Sequence, residues 1–176
     1  YLPAGEIENT RRRNHKQYMA WAQAGILTTI AGDTIDARII LKDILAAHEK
    51  YHIEELALDP FIAILLREDL EEAGVNTIRF NQSKSWYTTP CLEFEKAIVN
   101  RKLVHDGNPL LRWNIDNAVL EHDINGCMPS KKKAREKIDG AVALVMGFDR
   151  VIRNANKAEP EGSVYDRRGI TFLEVG

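Results

Sequence analysis

The chain has 176 residues, a formal charge of −2, 44% apolar residues and 28% charged residues. That is room for one domain with a substantial core, not comfortably for two, in an ordinary globular composition that excludes wholesale disorder. Its near-neutral balance excludes nucleic-acid binding by bulk charge, so any DNA contact must come from a local basic patch. Two cysteines, Cys91 and Cys127, make neither a disulfide framework nor a zinc site. No apolar run has the length of a membrane span and no signal peptide opens the chain, so the expectation is a soluble protein of the cell interior.

In chain order, Tyr18, Trp21 and Ala22 give a first apolar stripe at helical spacing, preceded by Arg11-Arg12-Arg13. Such a run is more often a solvated helix face than a phosphate contact. The glycine-bounded segment from Gly25 to Gly32 reads as a short strand, and Asp33 or Thr34 then offers a cap for a helix through Ile35, Ile39, Ile40, Ile44 and Leu45. A strand over Glu55–Leu58 follows, with Asp59 at its end and Pro60 in the first helical position, which tolerates proline.

The next helix, about residues 60–73, is expected to bury Phe61, Ile64, Leu65 and Leu70 and to stop at Gly74. Residues 75–80 read as another strand. Alternating strands and helices favour a parallel α/β sheet, whose functional groups collect beyond the carboxyl ends of the strands, where Asp59 lies. Residues 82–89 read as a polar loop with Trp86 and Tyr87 exposed or forming a lid, and a helix is expected from Pro90 to Asn100. Residues 117–121 fit strand or helix equally, and His122-Asp123-Ile124-Asn125-Gly126 has turn chemistry. The last helix starts at Asp139 and carries its apolar face on Ile138, Ala141, Val142, Val145, Phe148 and Ile152. Residues 1–154 thus form the domain and 155–176 a polar C-terminal tail.

Three groupings bear on chemistry. Asp59 and Asp139, brought together from a strand end and a helix start, would suit magnesium, which binds hard oxygen ligands and often uses one or two carboxylates with water and substrate phosphate. Taken alone, each has a plain reading too: Asp139 favours the positive end of a helix dipole, and carboxylates at strand ends are common. Lys131, Lys132, Lys133, Arg135 and Lys137 lie just before Asp139, where a nuclease would hold the phosphate backbone; the alternative is a solubilising loop. His105 and His122 have no nucleophile or carboxylate at a recognisable spacing and read as structural or surface groups. There is no G-x-S-x-G, P-loop or Rossmann fingerprint.

An ordered series of fragments resembles the C-terminal nuclease domain of the large terminase subunit of tailed bacteriophages and prophages. The series includes Trp21-Ala22-Gln23-Ala24-Gly25-Ile26-Leu27, Gly32-Asp33-Thr34-Ile35-Asp36, Tyr51-His52-Ile53 and Leu58-Asp59-Pro60. It continues through Phe80-Asn81-Gln82, Lys102-Leu103-Val104-His105-Asp106-Gly107-Asn108-Pro109, Trp113-Asn114 and Lys137-Ile138-Asp139-Gly140.

The resemblance implies an α/β, ribonuclease H-like mixed sheet flanked by helices, and a Mg²⁺- or Mn²⁺-dependent endonuclease, with two ions in the complete domain. Its activity would be the cutting of concatemeric viral DNA during genome packaging. The resemblance also implies double-stranded DNA as substrate, an N-terminal ATPase domain in the parent protein, the portal protein and small terminase subunit as partners, and the host cytoplasm as location. Of the family's three metal-binding acids, the second and third match Asp59 and Asp139. The first has no counterpart, and the chain is expected to start after the opening strand of the fold. A catalytically incomplete module that docks to the portal or another subunit is the competing reading, and a resolvase or transposase relative a third.

Overall fold

The computed structural model describes residues 1–155 except 10 and 12, so the C-terminal tail expected over 155–176 lies outside the described residues from 156 onward. The first unit pairs two very short strands in parallel, β1 (Leu2–Pro3) and β2 (Thr29–Ile30), around α1 (Ala4–Glu8) and α2 (His15–Gln23). The strand expected from Gly25 onward is confined to Thr29–Ile30 for a local reason. Gly25 takes φ +69, and the N–H groups of Ile26 and Leu27 both turn back to the Trp21 carbonyl, so these residues close α2 instead of extending. Tyr18, Trp21 and Leu27 make a small core, and Trp113 packs edge-on against both aromatic rings at centroid distances of 5.9 and 5.4 Å.

Helix α3 (Ala37–Tyr51) is capped by Asp36, whose side chain accepts from the Arg38 N–H at 2.9 Å; the cap expected at Asp33 or Thr34 falls two or three residues later. Strand β3 (Leu56–Leu58), α4 (Pro60–Glu72) and β4 (Thr77–Arg79) form a parallel crossover, with Leu56 opposite Thr77 and Leu58 opposite Arg79. Leu58, Ala63, Leu66, Leu70 and Val75 are buried here, against Ile40, Leu41, Ile44 and Leu45 of α3. Phe61, Ile64 and Leu65, expected in the core, are instead 70%, 79% and 53% exposed. The phase of α4 explains this. Its inward face runs through Ala63, Leu66 and Leu70, and Phe61, Ile64 and Leu65 fall on the other side of the helix.

The polar stretch read as a loop is the first half of a helix, α5 (Lys84–Val99), which continues through Pro90. Tyr87 is 1% exposed and Trp86 half-buried, so neither is an open loop residue or a lid. Serine and threonine on the outer turns disguise a helix whose inner face, Tyr87, Cys91 and Phe94, recurs at helical spacing. After α6 (Pro109–Asn117) comes an antiparallel hairpin, β5 (Leu120–Asp123) and β6 (Gly126–Pro129), which resolves the ambiguity over residues 117–121.

The hairpin seats on α5 through Thr88. Its hydroxyl donates to the Lys84 carbonyl at 2.7 Å and accepts from the Cys127 N–H at 2.9 Å. The approach is so close that a Cβ on Gly126 would lie 2.0 Å from Thr88 Oγ1, and Gly126 also holds φ +116. The last helix, α7 (Asp139–Ala155), begins at the expected residue, buries Ala141, and packs Val145 and Met146 against Phe80, Tyr87, Cys91, Phe94 and Cys127. No helix among the described residues is long and apolar enough to cross a membrane.

Candidate metal and nucleic-acid site

Asp59 leaves the carboxyl end of β3 and is the N-cap of α4, its Oδ1 accepting from the Phe61 N–H at 2.9 Å. A carboxylate here is stabilised by the helix N-terminus, and the capping bond fixes its direction. Its charge bears on Tyr87: burial pushes that phenol up to about 12, and the nearby Cys91 and Asp59 add to the shift while a hydrogen bond to Gln82 opposes it.

Asp139 opens α7 on the other side. Its neighbour Gly140 is held by Asn114, which is 6% exposed and accepts from the Gly140 N–H at 2.8 Å while donating to the Leu110 carbonyl at 3.0 Å. Asn114 therefore satisfies a free donor at the start of α7 and ties that end to α6. Gly140 permits the approach, because its Cβ would stand 3.3 Å from Asn114 Oδ1. The Asp139 side chain remains 62% exposed and accepts from Lys131 Nζ at 2.7 Å.

Two clefts lie in this region; Asp139 lines the larger, and Asp59 is in the lining of neither. The larger, about 760 Å³, is lined by Asp139 and Lys137 together with Glu6, Asp33 and Asp106. The smaller, about 330 Å³, is lined by Tyr87, Lys84, Lys131, Lys132 and Val142. A series of contacts leads from the Asp59 strand end toward Asp139: Phe80 donates its N–H to the Leu58 carbonyl at 2.8 Å and meets the Tyr87 ring at 5.0 Å, Tyr87 and Lys131 share the smaller cleft, and Lys131 bonds to Asp139.

The donor chemistry fits a hard divalent cation, and in each carboxylate the named bonds use Oδ1. The set is partial. No three His, Cys, Asp or Glu side chains among the described residues converge closely enough to hold a metal ion.

The basic run divides in use. Lys131 serves Asp139, Lys133 approaches Glu121 at 3.7 Å, and Glu136 inside the run meets Arg13 at 3.7 Å. Lys132, Arg135 and Lys137 are exposed. A second charge cluster pins the hairpin: Lys84 binds Asp123 and, at 3.4 Å, Glu121. The Lys84 bond holds Asp123 below the usual carboxylate range, and Ser130, then Lys133 and Lys84, do the same for Glu121.

Neither histidine is placed as a catalytic base. His105 is exposed and accepts the Gly107 N–H at 3.0 Å within a turn, and His122 is exposed on β5. Sequence reasoning missed Asn114 as the anchor of α7 and Asp33 and Asp106 as neighbours of Asp139 in the cleft. The only trace was the position of Asn114 next to Trp113, since a polar residue four places from its backbone partner has no distinctive spacing.

The chain has relatives of known identity. It is 34% identical over 148 residues to Protein YmfN of Escherichia coli (strain K12), a match covering 82% of this chain and 32% of that protein. It is 25% identical over 149 residues to the terminase large subunit of Enterobacteria phage HK97, covering 83% of this chain and 30% of the relative. The crystal structure of the HK97 bacteriophage large terminase superposes with a TM-score of 0.76 at 24% identity, over 84% of this chain and 32% of that one, which supports the ribonuclease H-like α/β fold. The chain thus spans about a third of the length of these relatives. Residues 1–155 match the model of the terminase large subunit endonuclease domain, and with that the chain belongs to the terminase large subunit nuclease family.

Proposed function

We propose that this domain is a Mg²⁺- or Mn²⁺-dependent DNA endonuclease that cuts concatemeric viral DNA during genome packaging, with Asp59 and Asp139 as its metal ligands. The observation that supports this most is the setting of Asp139, an exposed carboxylate at the head of α7, already paired with a cation and bordered by a basic run. Divalent ions, when bound, would activate water and stabilise the leaving oxygen of a phosphodiester.

The chain's own residues do the rest. Asp59 and Asp139 offer hard oxygen ligands whose directions are fixed by the α4 cap and by the Asn114 anchor beside Gly140. Lys131, Lys132, Lys133, Arg135 and Lys137 neutralise backbone phosphates, which gives sequence-tolerant binding that weakens steeply with salt. With Asp139 holding a metal, Lys131, its present partner, would be available to a backbone phosphate. Double-stranded DNA is the substrate, with the portal protein and small terminase subunit as partners, an ATPase domain in the parent protein and the host cytoplasm as the working place.

The test is cleavage of supercoiled plasmid with Mg²⁺ or Mn²⁺ against a chelator control. Metal-dependent nicking that disappears in Asp139→Asn is expected; nicking that survives this change contradicts the site. A second reading, an assembly module without cleavage, is favoured by the exposed Phe61, Ile64 and Leu65 on α4. It predicts a folded protein that neither binds duplex DNA at low salt nor nicks it.

A further inference from the structure

The two proposed ligands stand on two elements, β3 and α7, that are joined at their opposite ends by a buried ion pair. Arg150 Nε donates to Glu55 Oε2 at 2.7 Å, with side chains only 12% and 8% exposed. Arg150 also reaches Asp149 at 3.1 Å. Asp149, 3% exposed in its side chain, takes the Arg153 Nε on both oxygens at 2.9 Å, and Arg153 lies 6.0 Å from the centre of the Trp86 ring.

From Glu55 the chain runs four residues to Asp59, about 13 Å if extended. From Arg150 α7 runs back eleven residues to Asp139, about 16 Å as helix. Leu58, next to Asp59, accepts the Phe80 N–H at 2.8 Å, and the Phe80 ring meets Tyr87 at 5.0 Å. Tyr87 lines the smaller cleft with Val142 and with Lys131, which bonds to Asp139, so β3 and α7 run in opposite directions and both carboxylates lie toward the end away from the pair.

We infer that Glu55 and Arg150 are positioning residues that set the register of α7 on β3 and thereby hold Asp59 and Asp139 level with one another. This rests on the metal-site reading above.

Apolar packing fixes that register only in part. Toward Asp139 the inward face of α7 is Ala141, Val142, Val145 and Met146, small or adaptable side chains, and its one aromatic ring, Phe148, packs edge-on to Phe94 at 5.3 Å. A slip of one turn moves Asp139 by about 5.4 Å, more than twice the 2.0–2.6 Å reach of a metal–oxygen bond. The same slip leaves Glu55 and Arg150 buried without each other, which is costly enough to exclude it. Fixing register is the best-attested use of a buried ion pair.

The experiment places nitroxide labels at Ile64→Cys on α4 and Ala143→Cys on α7, both exposed, while the native Cys91 and Cys127 are 3% and 1% exposed and stay unlabelled. Distances are read by pulsed electron resonance and Mn²⁺ affinity by the free-ion signal. The deciding variant is Glu55→Met with Arg150→Met, which removes both charges of the pair while Asp149 keeps Arg153 on both oxygens.

A folded double variant with a second or broadened distance, and Mn²⁺ affinity lower by about tenfold or more, is the expected result. Ile44→Ala, on α3 in a different core cluster and outside both clefts, should lower Tm and leave distance and affinity unchanged. A folded double variant with one unchanged distance overturns the inference and reduces the pair to ordinary packing. Absence of Mn²⁺ binding in the unaltered protein overturns the metal-site reading instead, and the distance measurement still judges the register.

Discussion

The two ends of α7 carry the same chemistry, a carboxylate against a basic side chain, in opposite surroundings. At the start, Asp139 is 62% exposed and its partner Lys131 is 68% exposed. Near the finish, Asp149 is 3% exposed and sits between Arg150 and Arg153. Exposure decides what each pair does. An ion pair in water contributes little and exchanges partners easily, so under the proposed function Asp139 can trade Lys131 for a metal and Lys131 can turn to a phosphate. A buried pair with its remaining bonds satisfied is costly to break from one side, so the far end is fixed. One helix therefore joins a rigid anchor to an adaptable site.

The largest effect expected on this contrast is chemical. Asp139→Asn should reduce metal-dependent cleavage by about 100-fold or more, the scale of losing several kcal/mol of metal-derived stabilisation. Its folding stability should stay within about 0.5 kcal/mol of the unaltered protein in urea, as for an exposed position. A cleavage loss that merely tracks a stability loss would erase the distinction between the two ends.

The anchor should show the reverse pattern. Arg150→Ala is expected to lose about 3–5 kcal/mol in urea unfolding, because it takes a buried cation away from Glu55 and leaves Asp149 with Arg153 alone. Lys131→Ala should cost about 0–1 kcal/mol. Equal losses would mean that burial does not separate these pairs.

The core between the two ends responds to alkali. Burial pushes the Cys91 thiol from 9.0 up to about 12, with Cys127 adding to the shift, and the Tyr87 phenol from 10.0 up to about 12. Both groups hold their protons more tightly in the folded state, so the stability they contribute is complete below about pH 9 and is lost as pH rises toward 12. Tyr87→Phe should remove its part of that alkaline loss. It also forfeits the bond to Gln82, so stability at neutral pH falls by about 0.5–1.5 kcal/mol. Thermal unfolding at pH 7 and pH 11 checks both signs.

The smallest effect lies on the basic run. Lys132→Ala should weaken duplex binding about uniformly across sequences and reduce the salt slope by about 1. An unchanged slope would assign Lys132 to solvation alone.

Much of this architecture could be read from sequence where one local signal controlled the outcome. Leu58-Asp59-Pro60 announced a strand end and a helix start, because proline suits the first helical position, and Asp59 is the cap found there. The regular apolar spacing after Asp139 located α7. Reading failed where tertiary packing overrode local chemistry. Residues 84–89 look polar, yet Tyr87 is drawn into the core by Phe80, and the helix follows it.

On α4 the sequence offers more apolar residues than one face can hold, and only the crossover geometry selects Ala63 over Phe61. For the candidate site the sequence offered residue types, Asp59, Asp139 and the basic run, and the proposed function rests on that reading. Asn114 and the Glu55–Arg150 pair were not legible, because the pair joins positions 95 residues apart and Asn114 meets Gly140 across 26.

The most direct test of the central claim is a Mn²⁺ soak of crystals of this domain, read by anomalous scattering. A peak within about 2.0–2.6 Å of both the Asp59 and Asp139 carboxylates, with Lys131 withdrawn from Asp139, is the predicted result. Manganese bound elsewhere while Lys131 still holds Asp139 would contradict it.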